Sequence, residues 1–137
     1  MTGFIQAQVK NPTRSLVMLD KLANTVTTAN QVLAKTSGGM VIPAANTTVR
    51  SEIMGICNQT IAAAELLTQV PAIEVFENDT FIADTANNTN VAHNYQRMIL
   101  SNSLTVNNTG TDSASGVVVQ VEPYGDAADK KALFRFV

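Results

Sequence analysis

An all-β fold follows from two observations. Short runs rich in β-branched and aromatic residues alternate apolar with polar side chains, and clusters of Gly, Pro, Asn and Asp interrupt them at intervals of roughly 8–12 residues. Their combination predicts a small β-barrel or β-sandwich of short antiparallel strands, preceded by an irregular N-terminal arm.

The first 14 residues carry no regular pattern, and Asn11-Pro12 forbids a continuous helix across that point. From Ser15 to Lys35 the apolar residues Leu16, Leu19, Leu22, Val26 and Leu33 fall at helical intervals, yet Thr25-Val-Thr-Thr28 is a strand-forming run. The reading is at most a short helix near residues 15–23, with strand from about Thr25. Residues 1–27 are therefore set apart as an arm or a short helix or strand extension, and 28–137 as a single β domain.

Gln31 to Ala44 predicts a hairpin, because two β runs flank Ser37-Gly38-Gly39 and the glycines allow positive φ. Glu52-Ile-Met-Gly-Ile-Cys57 is another apolar run, in which Gly55 marks a bulge or a close backbone approach. Ile61 to Leu67 has helix-favouring composition over too short a length, so it reads as a loop with one helical turn. Pro71 to Glu77 alternates, Asn78-Asp79 turns it, and Thr80 to Asp84 resumes strand. Thr85 to Asn94 has the composition of a solvated loop. Tyr95 to Leu100 and Leu104 to Val106 are strands, followed by a turn at Asn107-Asn108-Thr109-Gly110.

The closing stretch carries the strongest strand signal. Val119 and Val121 point one way and Gln120 and Glu122 the other, which is a half-buried strand; Pro123 and Gly125 turn the chain. Leu133 to Val137 follows, with Phe134 and Phe136 on one face and Arg135 on the other. Ending on Phe-Arg-Phe-Val, this strand is expected to be paired inside the fold or within an assembly, since an open edge of that composition is adhesive.

At 137 residues, the chain has the length of one domain with a core of its own. Only 15% of its residues are charged, which implies surface covered by a partner, and the net charge of −2 with no basic run offers no footprint for nucleic acid. The single cysteine, Cys57, excludes an intramolecular disulfide and reads as a buried small hydrophobe. Neither a signal-peptide pattern nor a stretch of transmembrane length occurs, so synthesis and folding in a cytoplasm, without membrane association, are expected. Asn-x-Thr tripeptides at Asn46, Asn58, Asn78, Asn87 and Asn107 are those that chance produces in an Asn- and Thr-rich chain.

Catalytic and metal-binding patterns are missing. His93 has no nucleophile elbow to serve, and no His/Cys cluster has zinc spacing. Asp79 and Asp84 read as turn residues, not calcium ligands, and Gly38-Gly39 lacks the Lys-Ser/Thr of a phosphate loop. Glu74 with Glu77, or Glu122 with Asp126, lacks the fixed separation that glycoside hydrolysis needs. Arg97 is either a solvent-facing strand residue or an interface residue. No catalytic, cofactor-binding or metal site is assigned, and a non-enzyme is expected.

The order of elements carries a resemblance. Gln31-Val-Leu-Ala-Lys35, Gly39-Met-Val-Ile-Pro-Ala44 and Ile53-Met-Gly-Ile-Cys57, with Ile73-Glu-Val-Phe76, Phe81-Ile-Ala-Asp84, Ser103 to Gly110 and Gly116 to Val137, resemble the capsid decoration (cement) proteins of tailed bacteriophages. The resemblance implies a virion protein made in the host bacterial cytoplasm. It would bind the outer surface of the phage head through the major capsid protein and stabilise the lattice without any cofactor. It also implies a homo-oligomer, a trimer before a dimer. The competing readings are a tail, fibre or head-fibre-base β-domain, and a carbohydrate-binding β-sandwich, against which the absence of tryptophan and an aromatic content of 5% count.

Overall fold

Where the chain alternates apolar and polar residues it pairs into sheet, and the pairing sorts the strands into two groups. The computed structural model describes residues 2–8, 16–23, 25–62, 68–76, 79–109 and 113–137. Among these the only helical elements are three-residue 3-10 turns at Arg50–Glu52, Val91–His93 and Ala127–Asp129. No helix among the described residues is long and apolar enough to cross a membrane. The all-β expectation holds.

The first group comprises β2 (Val17–Asp20), β3 (Val32–Lys35), β4 (Val41–Pro43), β5 (Ile53–Cys57) and β6 (Gln69–Ile73), in the spatial order β2-β6-β5-β3-β4. β3 and β4 are the expected hairpin, with Gly39 at φ +85° and its amide donating to the Thr36 carbonyl at 2.9 Å. A parallel bridge between Lys21 and Val41 joins the two ends of the order, with the Leu22 amide 3.2 Å from the Val41 carbonyl. The sheet thereby curls into a nearly closed barrel. Leu33, Val41, Cys57, Ile61, Val70 and Ala72 fill it, with Val17, Leu19 and Met54 against them. Lys21 is itself buried, and its ammonium donates to the Thr25 carbonyl at 2.7 Å.

The second sheet runs β8 (Arg97–Met98), β11 (Val118–Pro123), β12 (Lys131–Phe136), β7 (Thr80–Thr85), β10 (Thr105–Val106) and β9 (Leu100–Asn102), with β1 (Ile5–Gln8) also on β7. β12 lies between β11 and β7, so the closing strand is paired on both edges inside the fold. Phe134 and Phe136 are buried on one face as expected. Phe136 meets Phe4 at 5.5 Å and Phe81 edge-on at 5.6 Å between ring centroids, the geometry that aromatic quadrupoles favour. Around these rings the main core gathers residues of both sheets, among them Val32, Ala34, Ile53 and Ile56 from the barrel wall.

The segment before residue 28 departs from an irregular arm. Ile5–Gln8 is a strand on β7, Val17–Asp20 is a strand on β6, and Phe4 sits in the core. Of the alternatives for this segment, strand is the one realised in the described residues, and the short helix near 15–23 is not formed. The helical spacing of Leu16, Leu19 and Leu22 misled because Val17 and Leu19 alternate just as well, and β6 supplies a partner that an isolated helix lacks. Residues from Thr25 make no strand before Val32; Thr27 only bridges Ile61, with amides and carbonyls exchanged at 3.0 and 2.8 Å. Residues 63–67 of the helical turn expected within 61–67, the break at Asn11-Pro12, the turn residue Asn78 and Gly110 lie outside the described residues, and Ile61 is the bridge residue.

Two further corrections come from β7 and β11. Asp79 does occupy a turn, its carboxylate accepting the Phe76 amide at 3.3 Å, but Asp84 lies within β7 and pairs with Lys131 across to β12. Gln120 faces the interior and not solvent with Glu122. A bulge between Gln120 and Glu122 places Gln120 opposite Phe134 and Glu122 opposite Leu133, so strict alternation fails at Val121.

Gly55 is read correctly as a close approach: a Cβ there would stand 2.7 Å from the Ile73 carbonyl oxygen, which is backbone and cannot turn aside. Gly55→Ala is expected to cost about 2–3 kcal/mol by overpacking. Gly39→Ala, in open space but at positive φ, should cost about 1 kcal/mol. Urea unfolding of both variants checks the order; equal losses would remove the close-approach argument.

Candidate interaction surfaces

The residues that chemistry would recruit lie apart. Cys57 is buried in the barrel, and its thiol donates to the Gln59 carbonyl at 3.0 Å. Burial pushes this thiol up, offset in part by hydrogen bonding with the Gln59 backbone and the Thr27 side chain. His93 ends a 3-10 turn, while Glu122 and Asp126 are exposed on the strand and turn that lead into β12. Gly38-Gly39 is a hairpin tip, and Glu77 lies outside the described residues. No group of three or more His, Cys, Asp or Glu among the described residues is placed to hold a metal ion. A pocket beside Met98, Ile99 and Asn107 encloses about 100 Å³, below the few hundred that small-molecule sites occupy. Arg97 is exposed, and its guanidinium donates to the Gly116 carbonyl at 3.1 Å.

What the molecule displays instead is large side chains on firm supports. The first support is the loop that enters β8. Val91 is 71% and Tyr95 74% exposed, and Tyr95 has φ +66°, a backbone region costly for a bulky side chain, by about 1–3 kcal/mol. Gln120 explains how that conformation is held. Its carbonyl accepts the Tyr95 amide at 2.7 Å, and its side-chain amide donates to the Asn90 carbonyl at 3.0 Å and to Asn94 Oδ1 at 2.8 Å. The carboxamide, fully buried, sits as a plug inside the 90–95 loop. Asn90 in turn caps the 3-10 turn by accepting the Ala92 amide at 2.8 Å, and Thr89 leans on the Ala127 carbonyl at 3.2 Å.

This bracing leaves polar atoms unmatched. Of six buried side-chain polar atoms without a hydrogen-bonding partner among the described residues, Thr89 Oγ1, His93 Nδ1 and Gln120 Oε1 belong to this loop and its brace. Each such atom is costly, and their convergence with a strained tyrosine marks the loop as a place where stability has been given up.

The second support is the outer side of β2. Leu16 and Met18 are exposed there, Met18 to 54%, on the face they share with Pro71. Lys21 donates to the Thr68 carbonyl at 2.8 Å, whereas Leu22 donates to Val41 on the opposite side. By the alternation of main-chain direction, Met18 and Asp20 turn their amides and carbonyls to the edge away from β6. No described strand pairs with β2 along that edge between Val17 and Asp20.

Neither surface stood out in the sequence. Tyr95 read as the start of a strand, and nothing local signals a left-handed tyrosine; the burial of Gln120 was missed because the inner face of β11 is that of Val118 and Gln120, not that of Val119 and Val121. The chain matches no protein-family model and no curated protein sequence.

Gln120→Glu would place a carboxylate against two oxygen acceptors in the interior, and should cost about 3–5 kcal/mol at neutral pH. Burial raises such a carboxyl above its unfolded value, so the penalty should shrink as pH falls and the protonated acid donates to Asn94. Urea unfolding at pH 4 and pH 7 checks this, and an equal loss at both would exclude the plug arrangement. Native Cys57 should react slowly with aromatic disulfide reagents at pH 8. Because the folded thiol is raised, its contribution to stability is present below the ordinary value of 9.0 and is lost as pH rises beyond it. Rapid labelling of the folded protein would contradict its burial.

Proposed function

We propose that the protein is a structural, non-catalytic virion component: a capsid decoration protein of a tailed bacteriophage, binding the outer face of the head through the major capsid protein and stabilising its lattice. A protein that ties neighbouring subunits together must touch more than one of them, and it needs rigid contact surfaces where an enzyme needs a concave site. The observation that carries this reading is the display of large apolar side chains on two separate supports. The 90–95 loop stands on the second sheet, and the β2 edge belongs to the barrel. The resemblance of the strand and turn segments from Gln31 to Val137 supports the same reading, and so does the low charge. No cofactor, nucleic acid or membrane enters this role, and the protein is taken to act as a homo-oligomer, with a trimer as the expectation.

The test begins with the mass of the purified protein in solution. It is then titrated onto heads assembled from the encoding genome with this gene deleted, and the bound fraction is quantified after sedimentation. Saturable binding at a copy number comparable to the major capsid protein is the expected result. A stable oligomer that does not bind heads would overturn the reading in favour of a tail or fibre component.

A further inference from the structure

We propose that Tyr95 is the anchor by which the protein grips the assembled shell, with Gln120 as the positioning residue that holds it out. The inference rests on the decoration reading and adds to it the identity of the contact. Its starting point is cost. Tyr95 is a bulky residue at φ +66° and 74% exposed, so its ring gains almost nothing from the fold in return for the strain. The brace that enforces the strain, Gln120, is fully buried and keeps Oε1 unmatched, and Thr89 Oγ1 and His93 Nδ1, close to Tyr95 in sequence, are unmatched as well. A loop optimised for stability would place Gly or Asn at position 95. The exposed side chains of β2, by contrast, sit on ordinary extended backbone and carry no such cost.

Tyrosine suits the task. It offers a large amphipathic surface with few rotatable bonds, which is why it is enriched among the residues that dominate binding energies. Val91, 71% exposed, lies on the same loop, and the residues nearest in sequence include the polar Asn90, Asn94 and Gln96.

Size decides which partner fits. A standard interface buries roughly 800 Å² on each partner, and a tyrosine contributes about 150–250 Å². Tyr95 and Val91 together fall well short of a stable dimer contact between copies. They suffice as one of several contacts made by a protein held at many points on a repeating lattice, where effective concentration multiplies weak anchors. The shell, not a second copy, is therefore the assigned occupant.

The experiment compares the wild type with Tyr95→Asn, Tyr95→Gly and Met40→Ser. Met40 is an exposed apolar residue at the hairpin tip, away from the loop. Each protein is titrated onto the gene-deleted heads, melted, and weighed in solution without heads. Both Tyr95 variants should bind at least tenfold more weakly, melt no lower than the wild type, and keep its oligomeric mass, while Met40→Ser binds as the wild type does. Asn and Gly tolerate the left-handed backbone, so a variant that lost binding and melting temperature together would point to a structural tyrosine and overturn the proposal. Undiminished head binding by the Tyr95 variants would also overturn it, leaving the decoration reading intact. A change of solution mass would assign the contact to a second copy instead. Failure of the wild type to bind heads would remove the decoration reading itself.

Discussion

Strands β3 and β5 must be apolar on both faces, and the rest of the architecture depends on that constraint. Leu33 and Cys57 point into the barrel, whereas Val32, Ala34, Ile53 and Ile56 point at the second sheet. A strand buried on both sides cannot alternate with polar residues, and here it does not. The branched side chains among them, Val32, Leu33, Ile53 and Ile56, each contribute about 1.5–3 kcal/mol on burial, and because one wall serves two cores, neither can loosen alone. Gly55 belongs to the same constraint, since β5 and β6 approach so closely that no side chain fits between them.

Between the sheets, the polar seam is as specific as the apolar one. Ser103 accepts the Val32 amide through its carbonyl at 2.8 Å and the Gln31 side chain through its hydroxyl at 3.0 Å, tying the β9–β10 turn to the barrel wall. Asp84 joins three strands at once. It takes the Lys131 ammonium of β12 and accepts the Gly3 amide at 3.1 Å, just before β1. Asn108 holds the 87–88 corner through both halves of its amide, accepting from the Asn87 amide at 2.8 Å and donating to its carbonyl at 2.9 Å. The Asn- and Thr-rich composition thus serves loop geometry at several points where solvation alone would not require it.

In the 90–95 loop, strain and unmatched polar atoms fall together. There Gln120 holds a bulky residue at positive φ and keeps an acceptor unmatched, whereas the other non-glycine residues at positive φ are Asn30 and Lys130. Strain of this sort persists only where surrounding structure over-determines it, and β11, paired on both sides at Val118 and Val119, is such a surround.

By itself the sequence determined the fold class, the β3–β4 hairpin, the close approach at Gly55, the burial of Cys57 and the two faces of the closing strand. All of these rest on neighbours in sequence or on a residue's own conformational freedom: glycine at positive φ, β-branched residues in pleat, a small thiol among aliphatics. What only the tertiary structure decided depends on partners far along the chain. Val17–Asp20 is a strand because Gln69–Ile73 lies beside it, and Ile5–Gln8 because β7 does. Gln120 lies on the inward face with Val118, in regular register against Phe134 and Phe136, and the extra residue at Val121 turns only Glu122 away from it; period-two reasoning shows neither which face the partner strand buries nor such an insertion. Tyr95 took a left-handed conformation because the Gln120 carbonyl waits for its amide, a hydrogen bond whose energy resides in the pair and in neither residue alone.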